Sequence, residues 1–400
     1  MERARLVLKP GKERSLLRRH LWLFSGAVES VDGLPLDGDV VDVVDSQGRF
    51  LACGHYQRTG SIRCRVLGFR REDEPEKPGF WKERLSEAVG LRKALGLVDG
   101  EETNACRLVH GEGDRLPGLV ADWYAGVAVV QFHSLGMFRQ QKTIAVALAE
   151  ALKEAGAAPR AVYAMTEQGI HLRGDEGVRE GFLLGKSGPV EILENGLKFR
   201  VDFAQGQKTG FFLDQRDNRA LLGRYCENRS VCNTFAYTGG FSVYALDGGA
   251  RSVDSVEISA TAAAAIEENV RLNFGDAAPH RVFCQDAFDF FQAAPTRYET
   301  IVLDPPAFAK HRESVENALK GYRRINRAAL RNIAPGGFLF TFSCSQLVSP
   351  ELFREAVFSA AAQAGRDVRV LHVLHQGADH PVNLFHPESE YLKGLVLEVR

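Results

Sequence analysis

"SVCNTFAYTGGFSVYAL", residues 230–246, passes from a short apolar run through adjacent glycines into a second apolar segment of helical spacing, the signature of a strand turning tightly into a helix. The same grammar repeats downstream. "SVDSVEI" (252–258), "HRVFC" (280–284), "TIVLD" (300–304), "GFLFTF" (337–342) and "VRVLHVL" (368–374) each read as a strand, and helical segments separate them. Strands alternating with helices require crossover connections, hence a mostly parallel sheet covered on both faces. The final run, "LKGLVLEV" (392–399), follows without a long intervening helix and fits a terminal strand that turns back antiparallel. The predicted fold class is α/β, with a Rossmann-like, seven-stranded C-terminal domain over residues 189–400.

Upstream of this region the pattern differs. "DVVDVVD" (39–45), "FLACGHY" (50–56) and "SIRCRVLGF" (61–69) are β-like runs parted by Gly and Asp turns, which suggests a small barrel-like module over residues 1–75. The acidic, proline-bearing "REDEPEKPG" (71–79) reads as a linker. Residues 76–188 then combine a helix through "FWKERLSEAVGLRKALGL" (80–97), an alternating run "LVADWYAGVAVVQFH" (119–133), a helix through "QQKTIAVALAEALKEAG" (140–156) and a strand at "RAVYAMT" (160–166), an α+β domain of its own.

Composition narrows the class. The 400 residues are 45% hydrophobic and 25% charged, ordinary for globular domains, and no apolar stretch approaches the roughly 20 residues that span a bilayer. The basic N-terminus lacks a signal-like apolar core, so a cytoplasmic protein is expected. Seven scattered cysteines without a CxxC pair signal neither disulfides nor structural zinc, and no metal site is expected. Four of the eleven histidines, His372, His375, His380 and His386, crowd the C-terminal region and could suggest a metal site, but His372 and His375 fall three apart in a strand, point to opposite faces and would not converge on one ion. Net charge is -1, yet residues 1–71 hold 13 Lys and Arg against 8 Asp and Glu, a surplus suited to phosphates or to a plain solvated arm. Trp22 and Phe24 in "HLWLFSG" (20–26) read as core fillers of the small barrel, with base stacking as the alternative.

In a parallel sheet, ligands bind beyond the carboxyl ends of the strands. The first end supplies Asn233 and the turn through Phe235, Tyr237, Thr238, Gly239 and Gly240, where glycine permits close backbone approach to a ligand or simply a tight turn. Glu257, 24 residues after Asn233, is placed to accept from both ribose hydroxyls, while Ser259 caps the next helix. Asp286 in "CQDAF" (284–288) can accept from an adenine amine or cap a helix. An adenosine-shaped site without a glycine-rich pyrophosphate cradle disfavours a dinucleotide and points to S-adenosylmethionine.

The fourth strand ends in "VLDPPAF" (302–308), where two prolines enforce a rigid extended path and hold Asp304 toward the crevice. The fifth ends in "FTFSCSQL" (340–347), which sets Cys344 on the same rim. A thiolate there could add to C6 of a pyrimidine and make C5 nucleophilic. The bland alternative is a buried cysteine acting as a small hydrophobe.

"KPGKERSLLRRHLWLFSGAV" (9–28), "GDRLPGLVAD" (113–122), "GQKTGFFLDQRDNR" (206–219), "FAYTGGFSV" (235–243), "LDPPAF" (303–308), "GYRRIN" (321–326), "TFSCS" (341–345), "ADHPV" (378–382) and "YLKG" (391–394) together resemble the bacterial 23S ribosomal RNA large-subunit cytosine-C5 methyltransferase family, which joins a PUA domain and a middle domain to a class I methyltransferase domain. The likeness runs nearly end to end. It implies methylation of C5 of a cytosine in 23S rRNA from S-adenosylmethionine, with Cys344 as nucleophile, Asp304 gripping the base, and the PUA-like domain holding RNA. It further implies Phe212, Asp214 and Arg216, in the stretch from Gln207 to Arg216, as cofactor contacts beside Asn233, Phe235, Tyr237, Thr238, Gly239, Glu257, Asp286 and Asp304. Many wider relatives carry an acidic residue where Asn233 stands, and "DPPAF" lacks the second cysteine of some cytosine methyltransferases. Two rivals stay open: methylation of an exocyclic purine amine, which needs no thiol, and an RNA-binding assembly factor without turnover. A homodimer is likewise left open.

Overall fold

The computed structural model describes residues 3–166, 177, 179–206, 208–293, 298–309 and 312–400. The chain divides into two compact units, one formed by residues 1–192, 201–211 and 378–389, the other by residues 193–200, 212–377 and 390–400.

The first unit contains two sheets. Six strands, β1 (Arg5–Leu8), β2 (Trp22–Phe24), β3 (Val28–Asp32), β4 (Val40–Val44), β5 (Phe50–Tyr56) and β6 (Ile62–Gly68), form a mixed sheet of order β2-β6-β5-β4-β1-β3, with the short helix α1 (Arg14–Leu17) between β1 and β2. Leu6, Leu8, Leu23, Val41, Val43, Cys64 and Val66 are fully buried in its core. The expected inward placement of Trp22 and Phe24 is reversed. A strand of period two can present one set of side chains to the core, and Leu23 takes that face, leaving Phe24 45% exposed and Trp22 half-buried.

The second sheet contains β7 (Ala105–His110), β8 (Leu119–Tyr124), β9 (Val127–Phe132), β10 (Ala161–Thr166) and β11 (Glu180–Gly185) in the order β11-β10-β9-β8-β7. The alternating run at 119–133 is therefore two strands, broken by Ala125 and Gly126, both at positive φ, which turn the chain into a hairpin. Helices α2 (Pro78–Ala94), α3 (Leu135–Arg139) and α4 (Gln141–Glu154) bury Trp81, Leu85, Phe138, Ile144 and Leu148 with the strand residues Trp123 and Phe132. Segment 378–389 is anchored in this unit: Arg92 donates to the Asp379 carbonyl at 2.6 Å, and the Asp379 carboxylate accepts from the Arg107 N–H at 2.9 Å. Strands β12 (Val190–Glu194) and β13 (Leu197–Val201) pair with each other as a separate two-stranded sheet.

The second unit holds the seven-stranded sheet: β14 (Ser230–Thr234), β15 (Ser252–Glu257), β16 (His280–Cys284), β17 (Tyr298–Leu303), β18 (Ile333–Ser343), β19 (Val368–His375) and β20 (Lys393–Val399), in the order β16-β15-β14-β17-β18-β20-β19. β16 through β18 are mutually parallel, while β20 runs antiparallel to both β18 and β19, as the missing helix before the last run implied. The connecting helices are α5 (Arg216–Gly223), α6 (Gly240–Asp247), α7 (Ala260–Phe274), α8 (Ala287–Ala293), α9 (Val315–Asn332) and α10 (Pro350–Ala364). The central strands are apolar along their length because helices cover both faces: Val231, Cys232, Ile301, Val302, Leu303, Leu339, Phe340 and Phe342 have no exposed surface. Strand order reverses at β14, which places the crevice beyond the carboxyl ends of β14 and β17.

Candidate active site

The turn after β14 is built against backbone preference. Phe235, Tyr237 and Gly239 have φ of 55°, 49° and 82°, three left-handed residues within five. Such a conformation persists where surrounding contacts over-determine it. Here the Thr234 hydroxyl donates to the Val302 carbonyl at 2.8 Å, the Ala236 N–H to the Val256 carbonyl at 3.1 Å, and the Asn269 amide to the Thr238 carbonyl at 2.8 Å. Gly239 is required twice over, by its φ and because a Cβ there would lie 2.9 Å from Ile266 Cγ2.

Glu257, at the end of β15, braces the same turn. Its Oε2 accepts from the Tyr237 N–H at 2.8 Å and its Oε1 from the Ser259 N–H at 2.9 Å. Each carboxylate oxygen offers two lone pairs, so one remains on each for a pair of hydroxyls. Asp286, beyond β16, uses Oδ1 to accept from the N–H groups of Phe288 at 2.7 Å and Asp289 at 3.3 Å, a helix cap that leaves Oδ2 toward other donors. The cap reading of this residue is thus met by Oδ1 alone. Asn233 is 1% exposed and donates to Ser242 Oγ at 2.8 Å, from which a buried polar chain continues to Ser255 and His280. Its Oδ1 is buried with no hydrogen-bond partner among the described residues.

Beyond β17 and β18 a second cluster forms. The strands are in register, with Leu303 beside Thr341, so Asp304 and Cys344 emerge from neighbouring strand ends. Asp304 and Cys344 are both half-buried, and Cys344 Sγ lies 3.9 Å from the Pro305 carbonyl oxygen. The two turns are latched together: the Ser345 hydroxyl accepts from the Ala309 N–H at 3.3 Å and shares a 3.0 Å hydrogen bond with Tyr322. Phe308 packs on Tyr322 with ring centroids 4.7 Å apart, over Gly321, where any Cβ would come within 3.0 Å of the Phe308 ring.

Comparison with known proteins decides the class. Residues 106–382 match the family described as S-adenosylmethionine-dependent methyltransferase, and residues 6–69 match the PUA-like domain. A protein of Aeromonas salmonicida named ribosomal RNA large subunit methyltransferase I is 40% identical over 402 residues, covering 99% of each chain. One of the same name from Tolumonas auensis is 39% identical over 398 residues, covering 98% of each. The chain belongs to the S-adenosylmethionine-dependent methyltransferase family. A Streptococcus mutans chain provisionally described as a SAM-dependent methyltransferase shares the fold, with a TM-score of 0.83 at 23% identity over the full length of both chains.

This methyltransferase takes S-adenosylmethionine as its methyl donor. Three observations fit that cofactor to the crevice: the spare lone pairs of Glu257 suit ribose hydroxyls, the orphaned buried Oδ1 of Asn233 suits an ammonium donor, and Gly239 clears a side chain from the turn. The stretch from Gln207 to Arg216 is divided. Gln207 lies outside the described residues, and the boundary between the two units falls between Phe211 and Phe212. Phe212 packs edge-on against Tyr237 at 5.0 Å and so joins the turn. Asp214 and Arg216 sit in a buried polar cluster, 5% and 3% exposed: Asp214 accepts from the Tyr391 hydroxyl, and Arg216 Nε lies 3.7 Å from Glu194. Glu194 is fully buried and takes a bidentate pair from Arg219 at 2.8 and 2.7 Å.

One side chain of this site escaped the sequence reading. Lys393, in "YLKG", opens β20 opposite Ser343 and donates to the Ser345 and Val348 carbonyls, both at 2.6 Å. Burial pulls its ammonium down to about 8, against an upward push from Cys344. A lysine at the mouth of an apolar strand was the available signal. By contrast, burial pushes the Cys53 and Cys226 thiols up to about 12, and they are packing residues.

Proposed function

We propose that this methyltransferase methylates C5 of a cytosine in 23S ribosomal RNA through a covalent adduct of Cys344. The observation that carries the reading is a half-buried thiol and a carboxylate at adjacent strand ends, beside a buried lysine. Full-length relatives named as ribosomal RNA large subunit methyltransferases support the substrate class.

When bound, S-adenosylmethionine supplies an electrophilic methyl carbon. Cys344, as thiolate, adds to C6 of a cytosine swung from its stack, and the ring electrons displaced by that bond make C5 nucleophilic. Asp304 holds the polar edge of the pyrimidine and fixes C5 in line. After methyl transfer, loss of the C5 proton restores the ring double bond and expels the thiolate, so the enzyme is regenerated. Lys393 favours the ionised sulfur at both ends of the cycle, as attacking and as leaving group. The PUA-like domain, with Lys9, Lys12, Arg14, Arg18 and Arg19 exposed along its N-terminal arm, binds RNA phosphates. We further read residues 1–75 as the PUA-like domain, 76–188 as the middle domain and 189–400 as the catalytic domain, acting in the cytoplasm.

Methylation of a purine amine calls for an aromatic after the two prolines to stack on the base. Phe308 instead packs on Tyr322, which favours the pyrimidine route. Cys344→Ala is expected to retain cofactor binding and lose label transfer from methyl-tritiated cofactor to deproteinised ribosomal RNA. Full activity in that variant excludes the covalent route, and nucleoside mass spectrometry separates 5-methylcytidine from a methylated purine.

A further inference from the structure

His386 is fully buried, and neither ring nitrogen has a hydrogen-bond partner among the described residues. Leaving both polar atoms of a buried imidazole unanswered is costly, so the surroundings of this ring call for an explanation. They are not apolar. The His20 ring lies against it, tilted by 41° with centroids 4.5 Å apart, and Glu388 Oε2 lies 3.8 Å from its Nε2. Glu388 Oε2 is also 3.3 Å from His20 Nε2. Trp22 closes one side, its ring edge-on to His386 at 4.5 Å and its indole N–H fixed on Glu112 at 2.8 Å.

We propose that His20, His386 and Glu388 form a binding site for one divalent cation of the zinc class, which ties segment 378–389 to the start of β2. The metric fits. Four-coordinate zinc has ligand bonds of about 2.0–2.1 Å, so neighbouring ligand atoms stand roughly 3.3–3.4 Å apart. The two separations to Glu388 of 3.3 and 3.8 Å bracket that edge, and one ligand atom from each residue lies within 4.8 Å of the other two. Small side-chain rotations close the remainder. Two imidazoles and one carboxylate are a donor set for zinc or cobalt, whereas calcium and magnesium favour all-oxygen cages. The outer support is also present: His20 Nδ1 lies 3.1 Å from both the Trp22 carbonyl oxygen and the Trp22 N–H nitrogen, and in the tautomer that donates to the carbonyl Nε2 is left for the metal. Glu388 is 39% exposed at its side chain, so water reaches the fourth position.

Of this site the sequence offered only His386, one of four C-terminal histidines read as not binding metal, because His20 and Glu388 are 368 residues apart and neither belongs to a CxxC or HxxxH pattern. The site is independent of methyl transfer. Its role is to hold the 378–389 segment, which also carries Asp379, in place within the first unit.

The test uses full-length, untagged protein stripped with a chelator and titrated calorimetrically with zinc chloride. One zinc per chain is expected, and cobalt(II) in its place gives the strong visible absorption of four-coordinate geometry. Glu388→Gln, at a partly exposed position that tolerates the change, weakens zinc binding at least about tenfold, and His386→Ala abolishes it. His372→Ala and His375→Ala, outside the cluster, leave it unchanged. Zinc at about 100 times its dissociation constant lowers the unfolded population about 100-fold in the parent and leaves Glu388→Gln nearly unaffected. Absence of stoichiometric zinc, or zinc binding equal in the parent and Glu388→Gln, overturns the proposal.

Discussion

Lys393→Met tests the proposed activation of Cys344 without relying on methyl transfer. Nζ is 2.6 Å from the Ser345 carbonyl oxygen, and Ser345 is the residue after Cys344. Bond geometry, with consecutive Cα atoms about 3.8 Å apart, then holds the sulfur within roughly 12 Å of the ammonium. At that limit, and at the effective dielectric of about 20 that suits such sites, two unit charges interact by about 1.4 kcal/mol, a factor of ten in the thiolate fraction. A closer approach raises the effect. The loss of Lys393 is therefore expected to shift the pH profile of Cys344 alkylation upward by about one unit or more.

The assay is iodoacetamide labelling across neutral and alkaline pH, read site by site by peptide mass spectrometry. Cys284 is exposed and serves as an internal reference whose profile stays put. Lys393→Arg keeps the charge and is expected to restore most of the parental profile. A folded Lys393→Met protein whose Cys344 profile moves by less than about 0.3 units refutes the argument, since that is the shift of fully water-screened charges at the same limit. The same lysine also predicts a stability trend. Its folded value of about 8 lies below the ordinary 10.5, so the unfolded chain binds more protons between those values and stability rises with pH across that window. Lys393→Met flattens the rise.

Three further expectations follow from buried groups. Glu194→Gln leaves the Arg219 guanidinium buried without its bidentate partner and is expected to cost about 3–5 kcal/mol, read as a lowered urea midpoint. His55 is fully buried, and burial lowers it from 6.5 to about 3, so the folded state resists a proton that the unfolded chain accepts. Stability falls as pH drops below 6.5, by up to about 4–5 kcal/mol near pH 3, and urea titrations of His55→Gln should show a shallower acid slope. Gly239→Ala forces a side chain into a left-handed position 2.9 Å from Ile266 Cγ2 and is expected to destabilise the fold by about 1–3 kcal/mol, with weaker S-adenosylhomocysteine binding by calorimetry.

The seven-stranded sheet was legible because its central strands are apolar on both faces and its helices have ordinary lengths. "HRVFC" became β16 residue for residue, and the absent helix between the last two runs announced the antiparallel β20. Reading was weaker where one side chain has two structural options. Trp22 and Phe24 carried the apolar signal of their strand, yet Leu23 occupies the core, since the period of two is the same whichever set faces inward. The run at 119–133 read only as alternating, with its break unplaced, because its turn, Ala125 and Gly126, has no polar turn residue to mark it.

Site residues divide by how far their partners lie in sequence. Glu257 and Tyr237 are 20 residues apart within one strand-helix-strand unit, so each was visible at the end of a neighbouring strand. Asp214 and Tyr391 are 177 residues apart, Arg219 lies in α5 while Glu194 ends β12, and nothing in the local pattern says that Asp214 and Arg216 are buried among these partners. Lys393 was hidden for the same reason: its partners, the Ser345 and Val348 carbonyls, have no sequence identity to read.

The rim that holds Asp304 and Cys344 shows why motifs so distant in sequence act as one device. Parallel pairing of β17 and β18 brings their ends to the same edge, but pairing alone leaves two loops free to splay. Ser345 closes the gap by serving both Ala309 and Tyr322, and Tyr322 in turn carries the Phe308 ring over Gly321. Lys393 binds the far side of the cysteine turn through two carbonyls, so its position depends on the antiparallel register of β20 against β18. "DPPAF", "GYRRIN", "TFSCS" and "YLKG" are thus four sides of one frame around a sulfur and a carboxylate. A frame fixed by backbone carbonyls and a close-packed ring holds its geometry before substrate arrives, which is the condition under which a fixed charge lowers a barrier rather than merely binding.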